Sequence, residues 1–268
     1  MSTHQASAAD QAGVSIPLGE DYPDIRESVR RICQDFPGKY WRDLEAQEAY
    51  PSEFVQAMTD AGYLAALIPE EYGGAGLNMT QYARVVNIMA YAAPAYRSIF
   101  SINVGMFASA LKNGATEAQK AEWYPKIAEG KIACFGLTEP GSGSDAAALK
   151  TSARRDGDHY VLNGTKQFIS GAGYNDVYVV MVRTGDEKAK GISCLVVDKD
   201  TPGLSFGVPE KKLGWNASPT AQVIFEDCRV PVANRVGAEG DGFRFAMMGL
   251  DGGRLNIGAC SLGGAQRC

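Results

Sequence analysis

Residues Ala133 to Asp145, reading A-C-F-G-L-T-E-P-G-S-G-S-D, gather hydroxyls, glycines and acids at one place in the chain. Mostly apolar residues run into Thr138 and Glu139, and a glycine-serine loop follows. This pattern fits a short buried strand that delivers donors to a loop. Gly141 and Gly143 carry no Cβ, so an anionic ligand can approach their N–H groups, with Thr138, Ser142 and Ser144 adding donors. An ordinary turn between two strands explains the same residues. A second stretch, Lys166-Gln167-Phe168-Ile169-Ser170-Gly171, again sets a hydroxyl and an aromatic ring beside a glycine.

Other chemistries find little support. The two histidines are His4, near the start, and His159, beside a turn, where it reads as a surface strand residue. A serine-histidine triad or a histidine metal centre is therefore excluded. Cysteines 33, 134, 194, 228, 260 and 268 show no C-x-x-C spacing and lie mostly in apolar stretches. They suggest reduced thiols, with neither a disulfide framework nor a zinc site. A net charge of −5, without a basic block, argues against nucleic acid. No apolar run reaches the roughly 18 residues of a spanning helix, so no membrane segment is expected.

The elements that would hold these stretches change texture along the chain. At 268 residues, with 45% hydrophobic and 21% charged, the protein suits two or three soluble domains. Residues 1–21 read as a disordered leader without signal-peptide character. Residues 22–130 read as a helical domain. Ile25, Val29, Ile32 and Phe36 form one helix face, which Pro37-Gly38 ends. Pro51 and Ser52 open a second helix, and Asn78 caps a third that Pro94 breaks. Ser98 to Leu111 is apolar nearly all round and reads as buried, and Thr116 to Glu129 is amphipathic.

Residues 131–236 turn to a period of two. Thr151 to Arg155, Asp156-Gly157-Asp158 and Tyr160 to Leu162 predict a hairpin, and Asn163-Gly164 a further turn into Lys166 to Ile169. Val177–Val182, Ile192–Val197, Leu204–Val208 and Ala221–Phe225 continue the series. Without helix-length insertions these predict a central antiparallel β-barrel or sandwich, and not a Rossmann unit. Residues 237–268 are helical again, and the pattern stops at Cys268 without a cap signal. The expected fold is thus α+β and multi-domain: an N-terminal helical bundle, a β domain, and the first helix of a C-terminal helical domain.

That order, and the motifs in it, resemble the acyl-CoA dehydrogenase family over roughly residues 22–268. Gly136 to Asp145 resembles its flavin-binding signature, and Lys166 to Gly171 its second flavin segment. Tyr72-Gly73-Gly74-x-Gly76, Lys212-x-Gly214 with Ser218 and Thr220, Phe225-Glu226-Asp227 with Val230-Pro231, and Gly237-x-Glu239-Gly240-x-Gly242-Phe243 also match.

The resemblance implies FAD as cofactor, lined by Phe135, Leu137, Thr138, Gly143, Ser144, Phe168, Ile169 and Ser170, with Ser170 near the flavin N5. It implies an acyl-CoA substrate touched by Ser144, at its pantetheine, and by Asp251, Gly252, Gly253 and Arg254 around the thioester. A helix kink is the plain alternative for Gly252-Gly253. The implied reaction is α,β-dehydrogenation to the enoyl-CoA, in fatty-acid β-oxidation or branched-chain amino-acid (valine) catabolism. An electron-transfer flavoprotein would be the electron acceptor, and the complete protein would be a homo-oligomer, dimer or tetramer. Its compartment would be the bacterial cytoplasm or the mitochondrial matrix.

Leu250-Asp251-Gly252-Gly253-Arg254-Leu255-Asn256-Ile257 is closest to the isobutyryl-CoA branch, whose acyl chain is short and branched. Two glycines facing the α-carbon would leave room for an α-methyl group. No carboxylate base is identified. The resemblance implies a glutamate beyond Cys268, or in a minority at the position Gly253 holds, so the chain is expected to be a C-terminally truncated fragment, inactive alone. The alternatives are a non-catalytic remnant serving as a binding module, and an acyl-CoA oxidase or flavin monooxygenase of the same fold.

Overall fold

The computed structural model of the chain describes residues 21–93 and 97–268. Of the leader expected over 1–21, residues 1–20, with His4, lie outside these residues, as does the helix break expected at Pro94. Helices come first: α1 (Pro23–Gln34), α2 (Gly38–Gln47), α3 (Ser52–Asp60) and α4 (Met79–Ala92). The α2 helix was not read from the sequence. Its single buried residue is Trp41, whose Nε1 donates to the Phe36 carbonyl at 2.8 Å, so one side chain anchors a largely polar helix. Asn78 caps α4 as expected. Gln81 N donates to Asn78 Oδ1 at 3.0 Å and Asn78 N to Gln81 Oε1 at 2.8 Å, satisfying two otherwise orphaned donors.

The apolar stretch from Arg97 is helical but not uniform. It runs as α5 (Arg97–Phe100), a π-helical stretch (Ser101–Phe107) and α6 (Ala108–Gly114). Widened turns of this kind re-aim side chains inside a helix. Here Asn103 Oδ1 accepts the Ala133 N–H at 2.7 Å, fastening the helical layer to the first strand. The amphipathic helix α7 (Glu117–Ala128) follows.

The β region contains β1 (Ala133–Gly136), β2 (Ser152–Asp156), β3 (His159–Ser170), β4 (Val177–Arg183), β5 (Ile192–Asp198), β6 (Leu204–Phe206), β7 (Thr220–Pro231) and β8 (Arg235–Val236). The order is β6-β7-β3-β2-β4-β5-β8, with β1 pairing β4. The sheet is open, not closed into a barrel. It is also mixed, because β1 and β2 both run parallel to β4, where an antiparallel sheet was expected. β4 explains how an open sheet stays buried on both faces. Val177, Val179 and Met181 pack towards α6, α7 and Phe245, while Tyr178, Val180 and Val182 pack among Tyr160, Phe225 and Val230 on the other side. Successive side chains alternate faces, so one apolar run serves two cores.

Asn163-Gly164 does not turn the chain. β3 continues through it, and its register against β7 shifts between Leu162 and Gly164. Asn163 exchanges hydrogen bonds with Asp227 across the irregularity, Nδ2 to Oδ1 at 3.0 Å and Asp227 N to Oδ1 at 2.9 Å. β2 and β7 flank β3, so pairing on both edges overrides the local turn preference of Asn-Gly. Gly164 is needed because a Cβ there would lie 2.6 Å from Thr151 Oγ1.

The last element is one helix, α8 (Gly242–Arg267), so Asp251-Gly252-Gly253-Arg254 does not interrupt it. It crosses α4 closely: a Cβ on Gly263 would lie 2.3 Å from the Asn87 carbonyl oxygen. That packing compensates for the weak helix propensity of its glycines.

Candidate functional site

The two stretches singled out in the sequence lie side by side. Gln167 N donates to the Thr138 carbonyl at 2.8 Å, and Cys134 Sγ to the Ser170 carbonyl at 3.1 Å. A buried ion pair joins them. Lys166 Nζ, 0% exposed, donates to Glu139 Oε1 at 2.7 Å and to the Leu137 carbonyl at 3.2 Å. Glu139, 7% exposed, also accepts the N–H groups of Lys150 at 2.6 Å and Thr151 at 2.9 Å. Burial opposes ionisation of Glu139, but the Lys166 charge and these hydrogen bonds outweigh it and hold the carboxyl below its ordinary value. Burial pulls the Lys166 ammonium down to about 8, against the opposing pull of Glu139.

Beyond Lys166 the register of β3 against β7 shifts again, between Lys166 and Ile169. Gln167 has left the ladder for Thr138, and Phe168 takes a left-handed backbone, φ 59°. The irregularity turns the Phe168 ring out of the sheet, where it is 62% exposed. A bulky residue with positive φ is strained, and an exposed ring held by strain suits contact with a flat ligand.

The glycine-serine loop is a tight turn in which Glu139 and Ser142 exchange backbone hydrogen bonds, at 3.0 and 3.1 Å. The Ser142 hydroxyl, expected to face a ligand, donates instead to the Asp145 carbonyl at 2.7 Å and shapes the loop. Thr138, Ser144 and Ser170 hydroxyls make no hydrogen bond to the protein among the described residues. Nothing lies within 4 Å of an ideal Cβ on Gly141 or Gly143, so both open onto free space. Leu137 and Ile169 are buried and Phe135 packs partly into the helix–sheet core, so these three present mainly backbone.

The residues expected at a substrate divide. Gly253 and Arg254 line a cavity of about 350 Å³ with Ser170, Leu250, Met106 and Arg97. Gly252 opens into a different groove, with Met79 and Met248. Asp251 is exposed and pairs with Arg254. None of the residues lining the Ser170 cavity is a carboxylic acid.

Three contributors were missed in the sequence: Arg97, Ser101 and Trp215. Arg97 and Ser101 are polar residues one turn apart at the head of an apolar helix, a signal that was available; Ser101 was absorbed into the buried-helix reading of Ser98 to Leu111, and Arg97 fell just before it. Trp215, φ 58°, comes from a loop pinned at both sides. Lys212 Nζ donates to the Trp215 carbonyl at 2.6 Å and to the Ser218 carbonyl, and Glu45 accepts the N–H groups of Asn216 at 2.9 Å and Ala217 at 3.3 Å. No spacing in the sequence connects that loop with Arg97.

Family models match this arrangement over most of the chain. The acyl-CoA dehydrogenase N-terminal domain matches residues 19–131 and the acyl-CoA dehydrogenase middle domain residues 134–228. The chain belongs to the acyl-CoA dehydrogenase family. It is 47% identical to the mitochondrial isobutyryl-CoA dehydrogenase of Dictyostelium discoideum over 95% of this chain and 61% of that protein. It superposes on butyryl-CoA dehydrogenase from Megasphaera elsdenii with a TM-score of 0.88 at 32% identity, covering 93% of this chain and 67% of that one. A glutaryl-CoA dehydrogenase from Mycobacterium smegmatis, solved in complex with FADH2, gives a TM-score of 0.83 at 31% identity, covering 92% and 62%. The chain thus spans about three-fifths, 61%, of the length of curated family members it matches. No helix among its described residues is long and apolar enough to cross a membrane.

Proposed function

We propose that this chain supplies the cofactor-facing and thioester-facing walls of an FAD-dependent acyl-CoA dehydrogenase that acts on a short acyl thioester. The observation that carries this reading is the meeting of Ser170, from the bulged end of β3, with Gly253 and Arg254 of α8 in one cavity. FAD fits the donor set: free Thr138, Ser144 and Ser170 hydroxyls, open backbone at Gly143, and an exposed aromatic ring at Phe168. Phe135, Leu137 and Ile169 would contribute backbone and apolar wall to the same site.

When bound, FAD supplies the acceptor for a hydride leaving the β-carbon of the acyl group. The chain's own residues orient and exclude. Ser170 would donate to the cofactor, and Ser144 to the pantetheine arm. Leu250, Met106 and Ile102 keep water from the acyl chain, which strengthens every polar contact made there. Hydrogen bonds to the thioester oxygen lower the pKa of the α-carbon, so Ser170 and Arg254, the donors beside Gly253 in the cavity, would assist proton loss. Gly253 leaves that wall bare; a Cβ would meet only Met106 Cε, at 3.3 Å. A bare wall accommodates an α-methyl group, in keeping with isobutyryl-CoA.

The carboxylate that takes the α-proton is proposed to lie outside these residues. An electron-transfer flavoprotein is the proposed electron acceptor and a homodimer or homotetramer the proposed assembly, in the bacterial cytoplasm or mitochondrial matrix.

Flavin titration of the purified chain, followed by isobutyryl-, butyryl- and octanoyl-CoA, tests the reading. Expected are weak retention of FAD, binding of the two short esters in preference to octanoyl-CoA, and no bleaching of the flavin band. A preference for octanoyl-CoA would overturn the short-chain assignment, and rapid bleaching by isobutyryl-CoA the external base.

A further inference from the structure

Ser170 belongs to two cavities. One is the cavity it shares with Gly253 and Arg254; the other is a space of about 10 Å³ whose wall includes Tyr50, Ser98, Asn175 and Ser218. That is near the smallest volume that holds one water molecule, and a water is stable there only with two to four polar partners. Tyr50 offers one. Its hydroxyl oxygen is buried and has no hydrogen-bond partner. The residue comes from the connection between α2 and α3, and its ring stacks on Tyr174, centroids 6.0 Å apart and planes at 16°, so the hydroxyl stays where the fold puts it. Burial holds the phenol above its ordinary value, and Cys134 and Asp176 nearby raise it further, so it remains a donor. Cys134 Sγ in turn donates to the Ser170 carbonyl at 3.1 Å, at the same end of β3. The Ser98 and Ser218 hydroxyls, 3.2 Å apart, supply further polar wall.

We propose that Tyr50 is a positioning residue: through one water bound in the small cavity it donates to Ser170 Oγ, and so turns the Ser170 proton towards the cofactor. This rests on the FAD reading and deepens it. A serine hydroxyl has one proton to give and two lone pairs to fill. Left alone, Ser170 can spend that proton inside the small cavity. With the water donating to its oxygen from that side, the proton is free for the other. Tyr50 gives to the water and the water to Ser170, and donors running in one direction polarise one another, which strengthens the last bond of the chain. The second proton of the water has the Ser98 and Ser218 hydroxyls to meet.

The test is a double-mutant cycle read in FAD affinity, by fluorescence titration of the unaltered chain, Y50F, S170A and Y50F/S170A. Y50F removes the hydroxyl and keeps the stacked ring. It is expected to weaken FAD binding about threefold to fivefold and S170A about tenfold, with the double variant no weaker than S170A, because Tyr50 acts only through Ser170. A merely structural Tyr50 would give independent losses that multiply in the double variant. That result, or unchanged affinity in Y50F, would overturn the proposal and leave the FAD reading standing. Failure of the unaltered chain to bind FAD would overturn both. A crystal structure of the unaltered chain needs no variant: one water within hydrogen-bond reach of both Tyr50 Oη and Ser170 Oγ is expected, and a dry cavity would overturn the proposal.

Discussion

Lys166 Nζ lies 2.7 Å from Glu139 Oε1 with both side chains buried, and this contact ties the glycine-serine loop to the bulged end of β3. The pair neutralises itself inside the sheet, and the Glu139 carboxylate is further held by two backbone N–H groups. Its position fixes where Thr138 and Phe168 stand relative to each other.

Breaking the pair should therefore cost more than a surface ion pair would. K166M leaves a buried carboxylate and is expected to lower unfolding stability by about 3 kcal/mol. The double variant K166M/E139Q should lose less than K166M alone, since no charge remains uncompensated. Urea unfolding measures both; a double variant less stable than K166M would contradict this account.

Acid should act through the same carboxylate. Glu139 titrates in the folded chain below its ordinary value of 4.5. Its contribution is whole above that pH and is lost as pH falls through the lowered value. The gap in melting temperature between wild type and E139Q should accordingly narrow as pH drops below about 4.5. A gap that stays constant into acid would refute the assignment.

Phe168 makes a trade between stability and function measurable. Glycine relieves a positive φ that costs about 1–2 kcal/mol in other residues, against about 1 kcal/mol of added chain entropy in the unfolded state. F168G should leave stability within about 1 kcal/mol of wild type. It should weaken FAD binding by about tenfold through loss of the aromatic surface. Unchanged flavin affinity in fluorescence titration would remove Phe168 from the proposed cofactor wall.

Gly263 tests the crossing of α8 on α4. An added methyl would press against the Asn87 carbonyl and Ala90, so G263A should destabilise by about 1–3 kcal/mol despite its better helix propensity. A rise in melting temperature would show that the two helices can part without cost.

Local rules carried much of the reading. Proline starts, the Asn78 cap, period-two strands and the D-G hairpin depend on interactions within a few residues, and those elements stand where the sequence put them. Helix α2 escaped because one residue, Trp41, holds it, leaving too little periodicity to see. Asn163-Gly164 misled because a turn preference is weaker than strand pairing on both sides of β3. Of the expected antiparallel barrel or sandwich, closure into a barrel and the purely antiparallel order did not hold, for a related reason: alternation reveals which residues face inward, but not which strand lies beside which. β1 and β2 reach the edge of β4 only through contacts far apart in sequence.

For the candidate site, the sequence by itself determined the chemistry of its parts: hydroxyls and glycines at 138–144, a ring and a hydroxyl at 168–170, and bare positions at 252–253. Only the tertiary structure decided which of them meet. Adjacent glycines on α8 point to different cavities because a helix turns about 100° per residue. The Ser142 hydroxyl turns inward to Asp145, and the bulge brings Phe168 outward. Arg97, Ser101 and Trp215 come together through a packing contact between α5, which leads into the π-helical stretch, and a loop over a hundred residues on, a distance across which no local pattern carries information.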